Sequence, residues 1–87
     1  MIVSIRSSFV KDSRKLDPII KRALSAIIQN LEKSNNLIEF SNCKKLSGYK
    51  TAYRIRLNHY HIGFFYSNNS IELVRILDRK EIYRYFP

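Results

Sequence analysis

At 87 residues the chain is expected to form a single domain, residues 1–87, and its 45% hydrophobic content excludes wholesale disorder. Sixteen Lys and Arg against seven Asp and Glu give a net charge of +9, which favours a polyanionic partner, with nucleic acid ahead of an anionic membrane or an acidic protein. The lone Cys43 excludes an internal disulfide, and no stretch is apolar and long enough for a signal peptide or a membrane span, so a cytoplasmic protein with no membrane partner is expected.

The first part of the chain predicts one strand and two helices. Met1–Arg6 is short, apolar and rich in β-branched residues, as is typical of a strand. Ser7-Ser8 offers an N-cap for a short helix from about Phe9 to Leu16, and Asp17-Pro18 begins a longer one, with Asp17 as the N-cap. In that longer helix an apolar stripe recurs at helical spacing: Ile19, Ile20, Ala23, Leu24, Ile27, Ile28 and Leu31.

The second part of the chain predicts three strands. Residues 37–52 have no clean period, and Ser47-Gly48 marks a turn within them. Asparagine-containing turns at Asn58-His59 and at residues 68–70 suit tight hairpins, because asparagine tolerates left-handed backbone geometry. These turns separate the three strand-like runs Tyr53–Leu57, Tyr60–Ser67 and Ile71–Leu77.

The C-terminal segment completes the fold prediction. Asp78 and Glu81 have the spacing of a capping box, which would begin a short helix at Arg79 and put Arg79 and Tyr83 on one helical face. The element order β-α-α-β-β-β-α then predicts an α+β fold. Its sheet would have four strands, mainly antiparallel, with the two N-terminal helices packed on one face and a short C-terminal helix.

The candidate site begins with two arginines on one strand. Strand alternation puts Arg54 and Arg56 on one face and Tyr53, Ile55 and Leu57 on the other, so the arginine side is open if the helices cover the apolar side. A solvated strand face is the plain alternative. An anion site is favoured instead because like charges crowd the same neighbourhood, the further basic residues being Lys44, Lys45, Lys50, His61, Arg75, Arg79 and Lys80.

A bound RNA would account for the residue types in this set. Metal-free RNA cleavage, by attack of a 2′-hydroxyl on the adjacent phosphate, needs a base, an acid and fixed cations. Arginine suits the phosphate clamp, while His61 and Tyr83 suit proton transfer, although Tyr83 is equally suited to anchor the tail. His59, His61 and the scattered carboxylates form no complete ligand spacing, so no metal or cofactor is expected.

Two segments carry a family resemblance: KKLSGYKTAYRIRLNHYHIGFFY, residues 44–66, and VRILDRKEIYRYFP, residues 74–87. They contain a Lys-Leu-x-Gly turn, a Tyr-Arg-x-Arg strand and a closing Arg-x-x-x-Tyr. In these features the chain resembles the RelE side of the RelE/ParE toxin superfamily, while residues 1–43 match it in element order only.

The resemblance implies a RelE-like fold and a defined activity. RelE-type members are the toxins of type II toxin–antitoxin pairs. They inhibit translation by cutting mRNA in the ribosomal A site, without metal, through the 2′-hydroxyl route. By position, Arg54 and Arg56 match the family's paired basic residues, Arg79 the basic residue before the tail helix, and Tyr83 the tail tyrosine. The implied partners are ribosome, mRNA and a cognate acidic antitoxin in a hetero-oligomeric complex.

The chain departs from the family pattern at three positions. His61 stands where many relatives have arginine, Asn58 where glycine often makes the turn, and Asp78 where histidine is frequent. The Asp78 carboxylate would pair with Arg79. His61 is then either a working acid–base group or a mark of weakened activity. Two other functions stay open, a ParE-like gyrase inhibitor and a RelE-fold protein that binds RNA or antitoxin without cleavage.

Overall fold

The computed structural model describes residues 1–87 and contains five strands and three α-helices. A short 3₁₀ turn, Leu37–Glu39, precedes the second strand. The elements in chain order are β1 Ile2–Ile5, α1 Ser7–Ser13, α2 Pro18–Lys33, β2 Cys43–Lys45, β3 Ala52–Leu57, β4 Tyr60–Ser67, β5 Ser70–Asp78 and α3 Ile82–Tyr85. The predicted α+β class and the order of the predicted elements are confirmed.

The sheet has the strand order β1-β5-β4-β3-β2, so the predicted count of four strands is wrong. β1 pairs with β5 in parallel and the other pairs are antiparallel. The additional strand is β2, in which Lys44 pairs with Arg54 of β3. A strand of three residues at the sheet edge is too short to show an alternating pattern, so it left no signal in the sequence.

Helix α2 forms as its sequence predicts. The Asp17 carboxylate accepts a hydrogen bond from the Ile20 backbone N–H at 2.9 Å, and Pro18 occupies the first helical position. Ile20, Leu24 and Leu31 are buried against one face of the sheet. These three residues, together with Phe9 and Leu16 from the preceding segment, make the main hydrophobic core, as expected for two helices on one face. Ile19, which the predicted stripe included, is exposed.

Helix α1 differs from its prediction because its serines do not cap it. Ser7 and Ser8 lie inside the helix, and Arg6 at the N-cap position makes no side-chain cap. The Ser8 hydroxyl donates instead to the Val74 carbonyl at 2.6 Å, and the Asp12 carboxylate accepts from the Ile76 N–H at 3.1 Å. Side chains of α1 therefore supply hydrogen-bond partners to the backbone of β5 beyond the residues that pair with β1. Buried backbone polar groups need such partners.

The tight turns of the sheet follow the asparagine signal. Asn58 has a φ of 56°, and Asn68 and Asn69 have φ values of 48° and 62°, all in the left-handed region. The Asn58 turn sets the register of β3 against β4, and the pleat of β3 places its alternate residues on opposite faces of the sheet. None of the helices is both long and apolar enough to cross a membrane.

Candidate nucleic-acid interface

The basic residues of β3 lie on the sheet surface opposite α1 and α2, which we call the arginine face. Ile55 is fully buried toward the helices, so its neighbours Arg54 and Arg56 point to the other side. The register sets Arg54 between Lys44 of β2 and Gly63 of β4, and sets Arg56 beside His61. Three adjacent strands thus bring one lysine, two arginines and one histidine together.

The lysine and the two arginines of this group have no carboxylate partner. The chain forms two ion pairs, one from Arg6 and one from Arg75, and neither lies among the residues just described. Asp78 does not pair with Arg79 as expected; its Oδ1 accepts from the Lys80 N–H at 2.9 Å and closes a turn. Lys44, Arg54, Arg56 and Arg79 consequently remain uncompensated, and such a cluster favours binding of an anion.

The C-terminal segment lies on the arginine face and brings Tyr83 to His61. Helix α3 begins at Ile82 rather than at Arg79, and its N-cap makes no side-chain hydrogen bond, so the predicted capping box and shared helical face are wrong. Ile82 and Phe86 are buried and anchor the segment, whereas Tyr83 is 58% exposed. The His61 and Tyr83 rings meet edge to face with centroids 6.1 Å apart.

Gly63 makes room for this anchor. A Cβ built on Gly63 would lie 2.5 Å from Cδ2 of the Phe86 ring, so only glycine allows the ring to rest directly on the sheet. Phe86 also contacts Phe65 with ring centroids 5.2 Å apart. The sequence contained one signal for this contact, the isolated glycine inside a strand, because such a glycine often marks the close approach of another group.

Gly63→Ala is expected to lower the free energy of unfolding by about 1–3 kcal/mol, because the added methyl group overlaps the Phe86 ring. Urea unfolding of Gly63→Ala, Phe86→Ala and the double variant measures this. In the double variant the Phe86 ring no longer occupies the space of the added methyl group. Its loss in free energy of unfolding should therefore be clearly smaller than the sum of the losses in the two single variants. Additive losses would mean that the ring and the glycine do not meet.

His61 is held as a neutral imidazole. It is 8% exposed, and burial lowers its pKa, as do Arg54, Arg56 and Arg79, while Asp78 opposes them. Its Nδ1 is buried without a hydrogen-bond partner. These surroundings weaken the imidazole as a base but keep it unprotonated near neutral pH, so His61 is available there to accept a proton.

The other predicted basic residues are spread over both sides of the sheet. Lys44 lies on the arginine face, but its neighbour Lys45 pairs with Tyr53 and lines an apolar groove with Phe40 on the opposite face. Lys50 and Lys80 are exposed in the segments before β3 and before α3. The structure therefore brings together Lys44, Arg54, Arg56 and His61, with Arg79 and Tyr83 beside His61.

Arg75 is held by Asp12, a residue that no sequence pattern singled out. Its guanidinium donates to the two carboxylate oxygens at 2.7 and 3.0 Å, and this hydrogen bonding raises the pKa of Arg75. The guanidinium carbon also lies 5.3 Å from the ring centroid of Tyr85. Arg75 thus links α1 to α3, which leaves its donors less free for a nucleic acid than those of Arg54.

No three or more His, Cys, Asp and Glu side chains lie close enough together to hold a metal ion. Burial raises the pKa of the Cys43 thiol to about 11, with Arg54 acting in the opposite direction. Cys43 is therefore a protonated, half-buried thiol beside the core and is a poor nucleophile.

The chain matches a curated relative over its whole length. Toxin RelE3 of Methanocaldococcus jannaschii is 38% identical over 88 residues, which is 100% of both chains. The chain belongs to the RelE toxin family. No family model matches it.

Solved structures show the same RelE fold. The RelB–RelE antitoxin–toxin complex from Methanococcus jannaschii contains a chain 37% identical to this one, with a TM-score of 0.83 over 97% of this chain and 99% of that one. The archaeal RelE–RelB complex from Pyrococcus horikoshii OT3 gives a TM-score of 0.73 at 22% identity, over 93% and 97% of the two chains. The intact RelBE complex of E. coli gives 0.70 at 16% identity, over 88% and 94%, and supports the fold alone.

Proposed function

We propose that residues 1–87 act as one cytoplasmic toxin domain that cleaves mRNA on the ribosome and so inhibits translation. Membership of the RelE toxin family supports this reading. The observation that carries it is the cluster of unpaired cations around a neutral, buried histidine on the arginine face. That combination suits a reaction that develops negative charge on a phosphate and removes a proton from a hydroxyl.

In the proposed mechanism Arg54, Arg56 and Arg79 bind the scissile phosphate and stabilise the extra charge of its transition state. His61 accepts the proton of the 2′-hydroxyl, which attacks that phosphate. The Tyr83 hydroxyl donates a proton to the departing 5′-oxygen. The products are a 2′,3′-cyclic phosphate and a 5′-hydroxyl end, and the residues named supply both proton transfers without a cofactor.

The proposed partner off the ribosome is an acidic antitoxin in a hetero-oligomeric complex. The chain carries a net charge of +9, and an acidic chain over the arginine face would neutralise it and exclude RNA. The similar chain from Methanococcus jannaschii was solved as an antitoxin–toxin complex, which supports this proposal.

The decisive experiment is cleavage of an end-labelled mRNA on ribosomes with an empty A site. We expect discrete cuts in the A-site codon by the wild type, with 2′,3′-cyclic phosphate ends, and none when the A site is filled with tRNA. His61→Arg, run beside it, is expected to cut more slowly because the proposed base is lost. Absence of cuts by the wild type would contradict the proposed activity. If only His61→Arg cut the mRNA, the histidine at this position would be the reason that the wild type is inactive.

The pH dependence of cleavage reports on His61. Because burial and three arginines lower the pKa of His61 below 6.5, the base stays available until the pH falls below that value. The value of kcat/KM, which reports the pKa of the free toxin, should therefore be flat near neutrality and decline on the acid side, with its midpoint below 6.5. His61→Gln should be slower and lack this decline. A midpoint above 6.5 in the wild type would contradict the base role.

A further inference from the structure

A polar cleft adjoins the arginine face at the β2 edge of the sheet. Its volume is about 230 Å³, and none of its five lining residues is hydrophobic: Ser41, Asn42, Lys44, Arg54 and Arg56. Three of them are cations, none is a carboxylate, and neither of the chain's ion pairs uses them. The cleft therefore has the charge and the donors of an anion site.

The wall of the cleft is built by two hydrogen bonds between β3 and Asn42, the residue just before β2. The Asn42 side-chain amide donates to the Arg56 carbonyl at 2.6 Å, and the Arg56 N–H donates to the Asn42 carbonyl at 3.1 Å. These two bonds hold Ser41 and Asn42 against β3. The amide nitrogen of Asn42 keeps a second N–H, and the Ser41 hydroxyl is a further donor.

The polar side chains of this surface extend further than one phosphate group. His61 lies on β4, Arg54 on β3 and Lys44 on β2, and strands lie about 4.8 Å apart, so these residues cover about 9.6 Å across the sheet. Lys44 and Arg54 also lie two residues along the strands from the paired His61 and Arg56. A phosphate beside His61 is neutralised by Arg56 and by Arg54, whose charge also acts on His61. Such a phosphate leaves Lys44 and the cleft at the β2 edge without a counter-charge.

We propose that this cleft is a second phosphate subsite, which binds the phosphate of the nucleotide next to the scissile one in single-stranded RNA. Lys44 is its principal cation, Arg54 is shared between the two phosphates, and Ser41 and Asn42 donate to the non-bridging oxygens. The proposal rests on the proposed function for the nature of the strand. By holding two successive phosphates, the chain fixes the register of the RNA relative to His61.

Binding of short RNAs with one or two internal linkages tests the subsite. The probes are fluorescent 2′-O-methyl dinucleotides and trinucleotides, which cannot be cleaved, titrated with the protein in an anisotropy assay at several salt concentrations. We expect the second linkage to tighten binding to the wild type about fivefold. Lys44→Ala should lose that gain, and its slope of log affinity against log salt should fall by about 0.7.

Lys45→Ala is the matched comparison, because it removes the same charge from the neighbouring residue on the opposite face. It should retain the gain from the second linkage. A trinucleotide that binds the wild type no better than the dinucleotide, or equal losses in both variants, would overturn the subsite.

The ribosomal cleavage assay separates this proposal from the proposed function. A gain that depends on Lys44 in a protein that does not cut mRNA would support the subsite and refute the nuclease. Cleavage by a wild type whose binding shows no such gain would refute the subsite and leave the nuclease.

Discussion

Arg54→Ala is expected to reduce the single-turnover rate of mRNA cleavage on ribosomes by about 100-fold to 1,000-fold. Arg54 is half-buried at the centre of the arginine face, between Lys44 and Gly63 on its two neighbouring strands. It forms no ion pair, so its removal takes charge away from the proposed phosphate and not from a structural contact. The loss should therefore appear in the rate, with little change in the free energy of unfolding.

Two further variants sharpen this test. Arg54→Lys keeps the charge but loses the planar fork that binds two phosphate oxygens, so an intermediate rate is expected. Lys21→Ala removes one positive charge from the exposed side of α2, behind the sheet, and should cut as the wild type does. If Arg54→Ala also cut at the wild-type rate, the arginine face would not be the catalytic surface.

The largest loss of stability is expected from Asp12→Ala, about 3–5 kcal/mol by urea unfolding. The Asp12 carboxylate is 7% exposed, binds Arg75 at 2.7 Å and accepts from the Ile76 N–H. Its removal leaves a half-buried guanidinium with only the Tyr85 ring beside it and a buried N–H without an acceptor. Since a domain is stabilised by about 5–15 kcal/mol in total, this change would remove a large fraction of the stability.

Glu72→Ala is the matched control for Asp12→Ala. Glu72 pairs with Arg6 at 2.8 Å, but both side chains are more than 40% exposed, so its loss should cost less than about 1 kcal/mol. The double variant Asp12→Asn with Arg75→Met retains an acceptor for the Ile76 N–H and removes the buried charge, and it should recover most of the stability. Equal effects of Asp12→Ala and Glu72→Ala would show that burial of the pair contributes nothing.

The order of elements, helix α2 and the faces of β3 could be predicted from the sequence because their causes are local. Asp17 and Pro18 begin α2 within one turn of chain, and the apolar stripe that follows has the helical period. Asn58 accepts the left-handed backbone of its turn, and strand alternation then assigns Arg54 and Arg56 to one side. The family resemblance rests on the same local segments.

The helix termini that were predicted wrongly show that a capping side chain has competing hydrogen-bond partners, one distant and one local in these two cases. Ser8 has the side chain of an N-cap, but the Val74 carbonyl at the edge of β5, 66 residues away, takes its hydroxyl. Asp78 has the spacing of a capping box, but its carboxylate accepts from the Lys80 N–H two residues on and closes a turn, so the helix begins later. Ser8 thus binds a distant backbone group and Asp78 a competing local one, and the residue types alone do not show which bond forms.

Sequence alone determined that this protein is a small basic α+β domain with arginines aligned on one face of its sheet, because composition, period and turn chemistry act over a few residues. Its resemblance to the RelE toxins rests on the motifs of residues 44–66 and 74–87. Only the tertiary structure decided that Phe86 rests on Gly63 and brings Tyr83 to His61, that His61 is buried among arginines, and that Asp12 holds Arg75. The reason is that burial and charge pairing depend on contacts between residues that are far apart in the chain. Asp12 and Arg75, for example, are separated by 63 positions.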